Sequence, residues 1–195
     1  MRSNLLKSLK LTLVFCLFFS VCYLFVLWGF AKIAGPNNGN PEVVMSDGRV
    51  VGVVRVGQSF TKDIYFWGRP SCAGVGYDAS ASGGSNKGAT DPEYLRKVEV
   101  RIDTFLIAHP YLKREDIPAE MVTASGSGLD PEISKSGAYV QIKRVADARG
   151  MSEDEVKIVV DQQMENAVWG LFGPANRVNV LKLNVALDAM QKGIK

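Results

Sequence analysis

The sequence predicts an α+β domain held outside the cytoplasm by a single N-terminal transmembrane helix. Three observations predict it. No charged residue lies between Lys10 and Lys32. Two β-branched runs flank Asp47-Gly48. Several helix-capping signals follow, without the strict strand–helix alternation of a parallel α/β fold.

The first element is "LTLVFCLFFSVCYLFVLWGFA", Leu11 to Ala31. About 20 residues rising ~1.5 Å each cross a hydrocarbon layer of about 30 Å. A cleaved signal peptide would want a shorter apolar stretch and an Ala-x-Ala-like site, and a lipoprotein anchor at Cys22 would want a small residue where Val21 stands. A retained span is therefore expected. Arg2, Lys7 and Lys10 keep residues 1–10 in the cytoplasm by the positive-inside rule, and Trp28 suits the outer aromatic belt. The span holds no ionisable group except Cys16, Cys22 and Tyr23, which makes it a poor ion path.

The chain's net charge of +3 divides unevenly along its length. Arg2, Lys7, Lys10 and Lys32 account for four of 23 basic residues, leaving 19 against 20 acidic ones, a net −1 for the rest. No nucleic-acid partner is implied. Of three cysteines only Cys72 lies beyond the span, so the outer domain has no internal disulfide and rests on its own core.

Residues 32–41, ending in "GPNNGNP", read as a linker, and the folded domain is placed at 42–195. Asp47-Gly48 predicts a hairpin, since both positions tolerate positive φ. Tyr65 to Thr90 is a long Gly/Ser-rich stretch of the kind that is usually functional or partner-bound, and its head, Tyr65-Phe66-Trp67, is expected in the core. Asp91-Pro92 caps a helix whose apolar side is Tyr94, Val98, Ile102 and Phe105, ending at Pro110. A second helix is expected from about Ser136 to Arg149, stopped by Gly150. A third opens on the capping box Ser152-x-x-Glu155, with an apolar face of Val156, Val159, Val160, Gln163 and Met164. "RVNVLKLNVALDAM", from Arg177, alternates early and then favours helix, and is assigned as helix.

Chemistry-bearing patterns are weak. Gly83 to Gly88 has the glycine gap of a phosphate loop, yet Ala89-Thr90 stands where Lys-Ser/Thr is needed. Gly74-x-Gly76 imitates a dinucleotide fingerprint with no strand before it. Gly126-Ser127-Gly128 lacks the nucleophile elbow, and the lone histidine, His109, reads as a capping or surface group. One histidine and one outer cysteine offer no zinc set. Gln141 to Val156 imitates a helix-turn-helix, but a domain of net −1 has no basic face for DNA.

"YFWGRPS", "SGGSN", "VTASGSGLDP", "QIKRVADARG" and "RVNVLKLNVALD" follow in this order behind one span. Taken together the set resembles the C subunit of the bacterial Kdp high-affinity potassium-transporting ATPase, over nearly the whole chain. The resemblance implies a non-catalytic, single-pass inner-membrane subunit with its C-terminal domain in the periplasm. Its implied partners are a potassium-channel-like subunit, a P-type ATPase subunit and a small helical subunit. It would assemble the pump and act as a catalytic chaperone raising the ATPase subunit's affinity for ATP. No cofactor is assigned to the chain itself, since ATP and K+ belong to the complex. Where the family commonly has His after "GLDP" this chain has Glu132, so no histidine role carries over to that loop. Asp78 replaces a common Asn, and Lys87-Gly88-Ala89 a common Leu-Gly-Pro.

The docking candidates are Gly68, Arg69, Pro70 and Ser71 with Ser125, Gly126, Ser127, Gly128 and Asp130. Glycines there permit close backbone approach, and Asp130-Pro131 fixes the exit. Ser82, Gly83, Gly84, Ser85 and Asn86 bear a partial likeness to an ABC-type signature and are the nucleotide-contact candidates. The alternative is a free-standing, membrane-anchored periplasmic binding protein or enzyme.

Overall fold

The structure, a computed structural model, describes residues 2–167 and 169–193. Met1, Val168, Ile194 and Lys195, which fall within the expected tail and domain bounds, lie outside the described residues. The chain divides into two compact units after Glu42.

The first unit is one uninterrupted helical run: α1 (Arg2–Leu17), a π-helical turn over Phe18–Tyr23, and α2 (Leu24–Ala34). From Ser3 to Ala34 it is 32 residues long, and its most apolar 18-residue stretch has mean hydropathy 2.5, long and apolar enough to cross a membrane. Helix thus extends beyond Leu11–Ala31 at both ends, because the flanking residues of residues 2–10 include good helix formers and nothing breaks the chain before Gly35-Pro36. Asn37 and Asn38, both at positive φ, then turn the chain, and Lys32 Nζ donates to Asn40 Oδ1 at 3.0 Å.

In the second unit β1 (Val43–Ser46) and β2 (Arg49–Val53) pair antiparallel around Asp47 (φ 50°) and Gly48 (φ 74°), the left-handed pair a two-residue hairpin turn requires. A long ordered loop leads to α3 (Pro92–Ala108). Asp91 caps it by accepting from Tyr94 N at 2.9 Å. A small antiparallel sheet of order β3-β5-β4 is made by β3 (Glu132–Ser134), β4 (Met164–Glu165) and β5 (Arg177–Asn179). Around it pack α4 (Lys135–Tyr139), α5 (Ile142–Arg149), α6 (Glu153–Gln162) and α7 (Val180–Gly193). The core holds Phe66, Phe105, Ile133, Val145, Val156, Val160, Val178, Leu183 and Leu187, all buried. This is the α+β arrangement the sequence predicts.

Two elements differ from expectation. The helix expected over 136–149 is broken at Val140-Gln141 into α4 and α5. The buried Gln141 side chain donates to the Gly137 carbonyl at 2.9 Å and also serves Trp67, so the break is fixed by a tertiary contact. The segment from Arg177 opens as strand, not helix. Val178 pairs with Ile133 and with Met164 and points into the core, and only at Val180 does helix begin. Asn179 manages the transition, with Oδ1 accepting from Lys182 N at 3.0 Å. The alternation Arg-Val-Asn-Val carried that strand signal.

Candidate functional site: a loop platform on a buried clamp

Two side-chain amides and two guanidiniums hold the segment Asp63–Trp67 by its backbone. Asn184, on α7, accepts from Phe66 N at 2.8 Å and donates to Phe66 O at 3.0 Å. Gln141 treats Trp67 the same way, at 2.8 and 3.1 Å. Arg144 donates to the carbonyls of Asp63 and Tyr65, and Arg149 to that of Ile64. A segment with no strand or helix of its own thereby has its polar backbone satisfied inside the core, where an unmade hydrogen bond costs about 1–3 kcal/mol.

Both arginines belong to the helix-turn-helix-like stretch, and both side chains are buried. Arg149 pairs with Asp188 at 2.8 Å, and Arg144 lies 4.2 Å from the Trp67 ring centroid. The stretch therefore presents these two cations inward.

His109 is fully buried rather than on the surface, and it forms the C-cap of α3. Its ring stacks on Phe105 at 4.0 Å. Nδ1 lies 2.7 Å from the Phe105 carbonyl and Nε2 accepts from Arg144 Nε at 2.9 Å. That pair of contacts fixes the neutral Nδ1–H tautomer, because Arg144 offers only donors. Burial pushes its pKa down to about 4; the Phe105 carbonyl opposes the shift, and the Arg144 charge adds to it. Sequence reasoning placed the cap but missed the burial, for which the only signal was the neighbouring aromatic and apolar residues.

Beyond the clamp the chain runs into Gly68–Ser71, which is laced to residues 125–130. Ser125 N donates to Pro70 O at 3.3 Å, Ser71 Oγ to Gly128 O at 2.6 Å, and Arg69 Nη1 pairs with Asp130 Oδ2 at 3.0 Å. Ser71 Oγ also accepts from Tyr77 N at 2.7 Å, while the Tyr77 hydroxyl donates to Arg69 O at 2.6 Å. Burial is the main cause that pushes the Tyr77 phenol up to about 12, so it stays a donor. Residues 82–84 lie on the other side: Gly83 N and Ser82 Oγ both donate to Ser127 O, at 2.9 and 3.0 Å.

Glycine is required most strictly at Gly128, where both φ and space demand it. Gly128 has φ +68°, and a Cβ would come within 2.6 Å of Ala73 N and Gly83 O. Gly126, by contrast, is exposed and a Cβ there would meet nothing within 4 Å. The nine docking candidates and three of the five nucleotide candidates, Ser82, Gly83 and Gly84, are thus one contiguous platform. Gly126 and Ser127 form its exposed crest, while Ser125 is 3 % exposed and acts from beneath. Ser85 and Asn86 continue along the chain toward α3. The Gly68–Pro70 edge also borders an open, largely apolar groove of about 400 Å³ lined by Phe60, Trp67, Phe105 and Met121. Arg69 Nε is buried without a hydrogen-bond partner.

The family model for "KdpC: K+-transporting ATPase, c chain" matches residues 5–189. The chain belongs to the KdpC family. Among curated relatives, one from Bacteroides thetaiotaomicron is 67 % identical over 185 residues, 95 % of this chain and 97 % of its own length. One from Bacteroides fragilis is 65 % identical over 188 residues, covering 96 % and 98 %. One from Caldanaerobacter subterraneus is 44 % identical over 187 residues, covering 96 % and 95 %. Each is described as a potassium-transporting ATPase KdpC subunit. Seen on this KdpC-family fold, "YFWGRPS", "QIKRVADARG" and "RVNVLKLNVALD" are the three parties to the backbone clamp, and "SGGSN" with "VTASGSGLDP" are two faces of the platform.

Proposed function

We propose that this chain is a non-catalytic accessory subunit of an ATP-driven potassium uptake complex, anchored by its N-terminal helix and docked to partners through the crest at Gly126-Ser127. Membership of the KdpC family across residues 5–189 is the observation that carries this reading. The side chains that could do chemistry are committed elsewhere. His109 is neutral, buried and bonded at both nitrogens, and the Ser71 hydroxyl is spent on Gly128 O and Tyr77 N. Neither is poised as base or nucleophile.

The partners in this reading are a potassium-channel-like subunit, a P-type ATPase subunit and a small helical subunit in the bacterial inner membrane, with residues 1–10 cytoplasmic and the folded body periplasmic. The chain raises the ATPase subunit's affinity for ATP through partner contacts. Contact through Ser82–Asn86 is disfavoured, because Gly83 N and Ser82 Oγ already donate to Ser127 O and α3 begins only at Pro92. ATP and K+ are handled by the complex.

The test is to tag the full chain, extract it in mild detergent from potassium-starved cells and identify what travels with it. The channel-like and ATPase subunits in stoichiometric amounts are expected. A monodisperse chain free of both would favour the anchored periplasmic binding protein or enzyme.

A further inference from the structure

Between Glu165 and Arg177 the chain reads "NAVWGLFGPAN", with no charged residue. The segment connects β4 to β5, and three of its side chains are thrown outward: Trp169 is 87 % exposed, Leu171 81 % and Phe172 61 %. Trp169 and Phe172 meet edge to face at 6.2 Å, so they form one apolar tip rather than isolated residues. The backbone is bent to present them. Trp169 and Gly170 both have positive φ, and Gly170 N donates to Ala167 O at 2.9 Å.

Leaving two aromatic rings and a leucine in water is costly at about 25 cal/mol per Å² of apolar surface. A protein partner is usually met by a patch that mixes apolar and hydrogen-bonding groups, with polar and charged residues at its rim. This tip offers neither charge nor hydroxyl. Tryptophan and phenylalanine beside leucine and glycine are instead the composition that enters the headgroup and upper acyl region of a bilayer. The folded body follows the apolar helix after a short tether, residues 35–42, which spans at most about 28 Å at ~3.5 Å per residue when extended.

We propose that the Trp169–Phe172 tip inserts into the surface of the same membrane that the N-terminal helix crosses, giving the folded body a second, non-covalent attachment to lipid. The proposal rests on reading Ser3–Ala34 as a membrane span, and its test separates the two.

The photoreactive residue p-benzoylphenylalanine is placed at Phe172, at Trp28 in the span, or at the fully exposed Val75, in the full chain assembled with its partners in native membranes. After illumination, adducts are identified by mass. Phe172→p-benzoylphenylalanine is expected to yield phospholipid adducts, and Val75→p-benzoylphenylalanine none. Adding Trp169→Ser and Leu171→Ser is expected to lower the lipid adduct at position 172 by roughly tenfold. Adducts at 172 to protein alone, or no adduct, while position 28 captures lipid or another membrane-embedded helix, would overturn the insertion and leave the span standing. Failure at position 28 as well would overturn both. All these side chains are exposed, so the fold does not depend on them.

Discussion

The side-chain amide of Asn184 lies across the peptide of Phe66, taking its N–H at 2.8 Å and giving a proton to its carbonyl at 3.0 Å. Both residues are buried. Replacing Asn184 with Leu keeps the number and branching of the side-chain heavy atoms and removes both bonds, leaving a buried donor and acceptor unpaired. At ~1–3 kcal/mol per orphaned group the expected loss is about 2–6 kcal/mol. Urea unfolding of the full chain in detergent measures it, and a change below 1 kcal/mol would mean that the clamp does not hold the loop.

The neutral state of His109 links stability to pH. Its folded pKa of about 4 lies below the ordinary 6.5, so the unfolded chain takes up the proton first. The neutral ring's contribution is fully present above pH ~6.5 and is lost as pH falls toward ~4. A protonated ring would face Arg144 Nε donor to donor, with Asp63, a carboxylate near that guanidinium, mostly in solvent. His109→Gln is expected to be less stable at pH 7 yet to lose less stability between pH 6.5 and 4 than the parent. Equal slopes would remove His109 from the account.

The orientation is open to direct measurement. Protease added to intact spheroplasts is expected to digest the folded body beyond Glu42 while residues 1–10 survive. Protection of the body until the cells are lysed would place it in the cytoplasm and contradict the periplasmic reading.

Local signals were legible in the sequence and tertiary ones were not. Asp47-Gly48, Asp91-Pro92 and Ser152-x-x-Glu155 each carry their geometry in two to four residues, and each forms the expected turn or cap. The break at Gln141 could not be read, because its cause is the Trp67 backbone 74 positions away. The inward role of Arg144 and Arg149 could not be read for the same reason: the carbonyls that receive them lie some 80 positions earlier. The two Gly/Ser loops were recognised singly, but that they bind one another through the Ser127 carbonyl is a property of the fold.

Neighbouring glycines on the platform provide the sharpest test of docking. Gly128→Ala forces a side chain into a left-handed position, at ~1–2 kcal/mol, and against Ala73 N and Gly83 O, so it is expected to destabilise the chain. Gly126 has open space, and Gly126→Trp is expected to leave the unfolding midpoint unchanged while reducing co-purification of the channel-like and ATPase subunits by roughly tenfold, the effect of ~1.4 kcal/mol. A Gly126→Trp chain that assembles as well as the parent would contradict the claim that the crest at Gly126-Ser127 is where this subunit meets the pump.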